Sequence, residues 1–268
     1  MVRFSIIIPT YGRLKYIPEL VESIRPQLSE DTEVIFVEGK APQDYEALLK
    51  EESVRKINAK TYYLPRCTLA ASRNFGASKA SGEWLIFCDD DDVFVDSKLK
   101  EVREAIRPDY LVYYSDCFVF DERGLCQDSG LRLKVNPGKT TGKVLLFLSN
   151  FISGGSAFVI HSSIARVFPF DESLKGSEDH DFWRRLVLNN IPIYFINKKL
   201  TGYRFHGRNM TQSHLRSWWH EVSLFKKYVF LTFFLLIANI LHFFKLCLKL
   251  IIAIARLLKG QFLKFREQ

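Results

Sequence analysis

Residues 84–93 read Trp84-Leu-Ile-Phe-Cys-Asp-Asp-Asp-Asp-Val93, an apolar run that ends abruptly in four carboxylates. The apolar half has the pattern of a fully buried strand. The acids cannot follow it into a core. Adjacent like charges repel, and they are tolerable only against a cation, solvent or helix N-terminal amides. The carboxyl end of a buried strand is also where α/β sheets place their ligands. In an extended segment Asp89 and Asp91 point to the same side. Both then reach one hard cation, and Mg²⁺ or Mn²⁺ is the natural choice for oxygen ligands. A solvated loop whose Asp92 or Asp96 caps the next helix is the plainer alternative, but a cap needs one aspartate, not four. An EF-hand calcium loop fails, because Val93 and Phe94 stand where its turn glycine belongs.

The rest of the chain supplies a sheet for that strand. Residues 4–8 form a β-branched run stopped by Pro9, and residues 33–37 a second apolar strand ending at Glu38-Gly39. Helical spacing marks residues 12–27, 44–56 and 69–80, with a short strand at 61–64. Strands alternating with helices at this pitch predict a parallel, doubly wound sheet with right-handed crossovers, residues 1–92 being its nucleotide-binding half. Beyond residue 96 the spacing predicts a helix to about 107, a strand at 110–114, a hairpin at 118–124 and a loop at 128–140. Gly154 and Gly155 allow backbone to approach a ligand closely, or form a simple turn. A strand at 158–160, a helix opening at 176–186 and short strands at 193–196 and 200–205 complete this half.

Composition bears mainly on the C-terminus. The 268 residues are 47% hydrophobic and 14% aromatic, which excludes disorder. The net charge is +8, yet eight of the basic residues lie from Lys226 onward against one acid, Glu267, so the body is nearly neutral. This argues against a nucleic-acid-binding body and for an anionic surface met by the tail. Residues 228–259 are apolar with helical pattern. Their charge-free part, 228–244, is at the short limit for a membrane span. Lys227, His242, Lys245, Lys249, Arg256 and Lys259 fall on one side of such a helix, and Trp218 and Trp219 stand nearby. The expected tail, 216–268, lies in the headgroup plane, with a helical hairpin packed on the body as the alternative. The five cysteines form no CxxC pair and leave an odd number, and the N-terminal apolar run is too short for a signal peptide. The expected location is cytoplasmic, peripheral on the inner face of the cell membrane.

Five motifs then carry a resemblance. Ser5-Ile-Ile-Ile-Pro-Thr-Tyr11, Leu69-Ala-Ala-Ser-Arg-Asn-Phe-Gly76, Asp89-Asp90-Asp91, Glu178-Asp179 and Tyr203-Arg-Phe-His206 with Asn209 and Ser213 occur in order. In these the chain resembles the family 2 glycosyltransferases of GT-A fold over about residues 4–213. The resemblance implies an α/β fold with a Rossmann-like, doubly wound mixed sheet and a catalytic domain over residues 1–215, its acceptor half at 93–215. It implies an inverting transferase that moves a sugar from a nucleotide-diphosphate sugar, UDP-linked by expectation, to a saccharide or lipid-linked saccharide of a bacterial surface polymer. One departure stands out. The family usually has two adjacent acids after its second strand, the first contacting the base, and here Glu38-Gly39 stands there.

Each candidate residue has a chemical reason. Asp91, with Asp89, would hold Mn²⁺ or Mg²⁺ against the donor diphosphate, with His206 as a third ligand or a phosphate donor. Pro9, Thr10, Tyr11, Glu38, Arg73, Asp89, Asp90 and Arg204 form the expected donor side; Arg73 suits a bidentate hold on phosphate, or a surface salt bridge. Asp179, near a helix N-terminus, is the expected general base for the acceptor hydroxyl, although that first turn favours acids in any helix. Gly154, Gly155, Glu178, His180 and Trp183 are the expected acceptor side, Trp183 being equally a core residue. A sugar-phosphate nucleotidyltransferase would want a Gly- and Arg/Lys-rich turn after the first strand, where only Gly12 and Arg13 stand. A catalytically inactive membrane adaptor would not need Asp89, Asp91 and Asp179.

Overall fold

The computed structural model describes residues 4–124, 126–127, 155–206 and Tyr228. The chain divides into two compact units, Met1–Glu221 and Val222–Gln268. The expected membrane-surface helix and its basic stripe lie outside the described residues, as do Gly154, Asn209 and Ser213. Among the described residues no helix is long and apolar enough to cross a membrane.

Strands β1 (Phe4–Thr10), β2 (Thr32–Glu38), β3 (Lys60–Tyr63) and β4 (Trp84–Phe87) pair in parallel in the order β3-β2-β1-β4. The sheet then departs from all-parallel. β8 (Phe158–His161) joins β4 antiparallel, and β6 (Val112–Asp121) joins β8 antiparallel. β9 (Ile193–Phe205) runs parallel to β6, and β5 (Val93–Phe94) closes the edge antiparallel to β9. The two-residue β7 (Cys126–Gln127) pairs with β6. Among the described residues the result is a mixed sheet of nine strands.

All seven residues of β1 are buried, because helices cover both faces of the sheet. Side chains alternate across a strand, so β1 feeds two cores. Ile6 and Ile8 pack with Ile17, Leu20, Val21 and Ile24 of α1 (Ile17–Ile24) and with Leu99 and Val102 of α5 (Lys98–Ala105). Ile7 packs on the opposite face with Phe182, Trp183 and Leu186 of α7 (Glu178–Leu188). α1 has no side-chain cap hydrogen bond, yet its four apolar residues are fully buried. Each such burial is worth about 1.5–3 kcal/mol against about 1 kcal/mol for a cap, so packing decides that this helix forms.

α4 (Leu69–Lys79) combines both devices: Thr68 Oγ1 accepts from the Ala71 amide at 3.1 Å, and Gly76 lets the helix approach Ile7 more closely than any Cβ would permit. Among the described residues the remaining α-helices are α2 (Pro42–Lys50), α3 (Glu52–Lys56) and α6 (Ser162–Val167). The expected helix at 44–56 is therefore two, broken at Glu51, whose φ of −63° and ψ of 118° are extended. The expected strand at 110–114 runs on into the first arm of the expected hairpin as one ten-residue strand, β6. The hairpin is present: β6 turns at 121–124, where the Gly124 amide donates to Asp121 O at 2.9 Å, and pairs antiparallel with β7. The two short strands at 193–196 and 200–205 are likewise one, β9, with a register irregularity against Ser115–Cys117 of β6.

Candidate active site

The four aspartates do not lie extended. The Asp92 amide donates to Asp89 O at 3.2 Å, closing a turn just beyond β4, and this corrects the expectation that Asp89 and Asp91 share one side. Asp89 accepts from Arg73 Nη2 at 2.8 Å. Asp91 Oδ2 receives Arg13 Nη1 at 2.5 Å and lies 3.0 Å from His206 Nε2. Asp90 is fully buried; its Oδ1 lies 2.6 Å from Arg13 Nη2 as an ion pair without hydrogen-bond alignment. Burial pushes its carboxyl up to about 7, with Arg13 opposing and Asp91 and Asp89 adding to the rise. Asp92 accepts from the Ser156 hydroxyl and, at 3.0 Å, from the Arg204 amide. Burial, then the charges of Asp89 and Asp91, hold it well above the usual carboxylate range.

Among the described residues no three metal-ligating side chains gather at one point. Of the expected trio, Asp91 and His206 lie side by side at 3.0 Å, while Asp89 is engaged by Arg73. A cation does belong there: the Arg13 guanidinium is bound to both Asp90 and Asp91.

Arg73 joins the acidic turn to the start of α7. It is 1% exposed, and its Nη1 donates to Glu178 Oε1 at 2.6 Å while Nη2 holds Asp89. Burial opposes its charge, but Asp89, Glu178 and Asp179 together hold its pKa above the ordinary arginine value. Burial likewise raises the Glu178 carboxyl, against the pull of Arg73. Gly155 packs on this ion pair: a Cβ there would intrude on Arg73 Nη2 and lie 2.9 Å from both Asp89 carboxylate oxygens. Ser156 follows, accepting from the Asp89 amide at 2.8 Å. Ser177, in the left-handed region at φ 57° and ψ 24°, turns the chain so that Glu178 and Asp179 open α7. Asp179 is half-buried, and its Oδ1 accepts from the His180 amide at 2.7 Å.

On the other side of Glu178 a cavity of about 440 Å³ opens at the ends of β1 and α4. Pro9, Thr10, Tyr11, Arg13, Cys67 and Ser72 are among its walls, and its size suits a small-molecule ligand. Tyr11 is 54% exposed at the rim. Glu38, expected to meet a base edge, is instead fully buried and holds neighbouring loops together. It accepts from the amides of Lys40 at 2.7 Å and Gly12 at 3.1 Å and from the Thr10 hydroxyl at 3.2 Å.

Arg204 is also a bracket. Its Nε donates to Asp91 O at 2.9 Å, Nη2 pairs with Glu19 at 2.6 Å, and the guanidinium lies over the rings of Tyr16 and Phe120. Two acceptor-side expectations are corrected. Trp183 is fully buried among Phe158 and Phe182, because its side of α7 faces the sheet, so it offers no platform to a sugar. His180 is fully buried as well.

Sequence reasoning missed Ser156 and Lys98 and assigned Arg13 no part in the acidic site. Lys98 Nζ, within α5, donates to Ser156 O at 2.7 Å and Thr201 Oγ1 at 2.9 Å, and burial lowers its pKa to about 8. The one signal was a lysine at a position of α5 whose neighbours, Leu99 and Val102, are core.

With this geometry established, comparison with known proteins places the chain. The family model described as glycosyl transferase family 2 matches residues 5–168. An uncharacterized glycosyltransferase of Haemophilus influenzae is 27% identical over 223 residues, covering 78% of this chain and 70% of that protein. The poly(ribitol-phosphate) beta-N-acetylglucosaminyltransferase TarS of Staphylococcus aureus is 27% identical over 224 residues, 80% of this chain and 38% of TarS. Among solved structures, TarS 1–349 in complex with UDP-GlcNAc superposes with a TM-score of 0.61 at 23% identity, covering 80% of this chain and 62% of that one. The mannosyltransferase PcManGT of Pyrobaculum calidifontis, in complex with GDP-Man and Mn²⁺, gives 0.61 at 16% identity, covering 85% of this chain and 64% of that one. This chain thus spans less than two thirds of these solved chains. The mixed α/β sheet is a GT-A fold. The chain belongs to glycosyl transferase family 2.

Proposed function

We propose that this protein is an inverting transferase that takes a sugar from a nucleotide-diphosphate donor, UDP-linked in the first instance, to a saccharide or lipid-linked saccharide hydroxyl. One observation carries the reading: Arg73 holds Asp89 of the acidic turn and Glu178 of the first turn of α7 together, which supports a metal-facing turn and a base on α7 acting at one site. The solved TarS complexes with UDP-GlcNAc and UDP support a nucleotide-sugar donor, and the name of TarS supports a surface-polymer acceptor.

In this reading the nucleoside sits in the cavity between Tyr11 and Ser72. Asp91 and His206 would hold Mn²⁺ or Mg²⁺, a carboxylate and imidazole set that Mn²⁺ accepts readily; the Mn²⁺ in the PcManGT complex supports the choice. That ion would supply positive charge against the leaving diphosphate. Asp179 takes the proton of the acceptor hydroxyl as it attacks, and a single base with no covalent intermediate gives inversion. Asp90, Arg204 and Glu38 keep the walls of the site in place. The tail's basic apolar pattern supports attachment to the inner face of the membrane, which makes a lipid-linked acceptor reachable.

The test is a thermal-shift screen of nucleotide sugars with and without Mn²⁺. A donor is expected to raise Tm in a way that chelator abolishes. Stabilisation by no nucleotide sugar under either condition, with no hydrolysis of any, would remove the transferase reading.

A further inference from the structure

We propose that Arg13 is a resident counter-cation of the acidic turn, which must leave Asp91 before a divalent ion occupies that carboxylate. The inference rests on the reading of Asp91 and His206 as the metal site, and it concerns what holds that site beforehand.

The four aspartates are not neutralised alike. Asp89 is held by the fully buried Arg73, itself fixed from its other end by Glu178. Asp92 is held by a hydroxyl and an amide. Asp90 and Asp91 instead receive the two ends of the Arg13 guanidinium, at 2.6 Å and 2.5 Å. Unlike Arg73, Arg13 has a side chain that is 36% exposed, so its own charge can pass into solvent, and the buried Asp90 and Asp91 it leaves behind then favour a replacement cation. It follows Gly12, at φ +66°, on the turn between β1 and α1.

The chemistry makes its presence exclusive. A guanidinium has donors only and remains charged, so it cannot join a metal's ligand set and is repelled by a divalent ion at the same oxygen. Asp91 Oδ2 is the shared point, since His206 Nε2 lies 3.0 Å from it as well. Withdrawal of Arg13 would leave the Asp91 and His206 pair as the ligand set. Arg13 also lines two cavities, the one of about 440 Å³ beside Tyr11 and another of about 820 Å³ beside Tyr16, Glu122 and His206. It therefore stands where they adjoin, and its departure would open one to the other. Two consequences follow. The turn keeps its shape without metal, and metal affinity is reduced by whatever it takes to displace Arg13.

The experiment titrates Mn²⁺ into the full chain, alone and again with UDP present, and reads free Mn²⁺ by electron paramagnetic resonance alongside Tm. The proteins are wild type, Arg13→Ala, Arg13→Gln (which keeps length and loses charge) and Asp91→Asn. Both Arg13 variants are expected to bind Mn²⁺ at least about tenfold more tightly than wild type. They should also melt lower without metal and gain more Tm from it, while Asp91→Asn binds none. Arg13 variants that bind Mn²⁺ no more tightly than wild type, with Asp91→Asn still abolishing binding, would overturn the role of Arg13 and leave the metal site standing. Absence of saturable Mn²⁺ binding to wild type and Arg13 variants alike, with and without UDP, would overturn both.

Discussion

Arg73 Nη1 lies 2.6 Å from Glu178 Oε1, a buried ion pair joining residues 105 apart in sequence and both sides of the proposed cleft. The same guanidinium holds Asp89 at 2.8 Å, so one side chain sets the spacing between the acidic turn and the helix that carries Asp179.

Arg73→Met should therefore destabilise the protein by about 3–5 kcal/mol, because it leaves two carboxylates without their buried partner. Arg73→Lys should recover only part of that, since an ammonium cannot span two carboxylates as a planar fork does. Urea denaturation of the two variants and of Glu178→Gln checks this. Full stability in Arg73→Met would show that the bridge is dispensable.

Gly155 is where this bridge is most sensitive to bulk. The Cβ of Gly155→Ala would enter the space of the buried Arg73 Nη2 and crowd the Asp89 carboxylate, so the pair would have to shift. A loss of about 1–3 kcal/mol is expected, the usual range for overpacking. Donor affinity should fall further than in Gly124→Ala, where no atom lies within 4 Å and the cost is confined to the backbone at φ +75°. Unfolding curves together with nucleotide titrations measure both.

Lys98 gives a pH signature. Its pKa is lowered from 10.5 to about 8 by burial, so between those values the unfolded chain binds the proton and the native one does not. Stability from this group therefore rises with pH from about 8 to about 10.5. In Lys98→Met that rise should vanish, while Ser156 O keeps the Thr201 hydroxyl at 3.0 Å. Denaturation of both proteins at pH 7, 8, 9 and 10 reads the difference. A wild-type excess at pH 10 no larger than at pH 7 would contradict the assignment.

Much of the frame was legible because it depends on local pattern. β1, β2 and β4 are short apolar runs, β1 carrying on through the expected stop at Pro9 to Thr10, and the acids do fall where β4 ends. Three things were hidden. β6 and β9 read as broken because Ser115 and Asp116 in the first, and Asn197, Lys198 and Lys199 in the second, interrupt the apolar pattern. The irregular pairing between these strands absorbs that interruption. Trp183 read as a possible sugar platform because a helix pattern does not say which aromatic faces the sheet. The partners of Arg13, Arg73 and Arg204 lie 78, 105 and 185 residues away, separations at which no window of sequence carries a signal.

The most direct measurement of the central claim, that donor holding and acceptor activation sit on different carboxylates of one cleft, is calorimetric binding of UDP with Mn²⁺ to Asp91→Asn and Asp179→Asn, alongside their turnover. Asp91→Asn should lose metal-dependent binding; Asp179→Asn should bind as wild type does and lose about 10²–10⁴-fold in turnover. Intact binding in Asp91→Asn, or near-normal turnover in Asp179→Asn, would contradict the account.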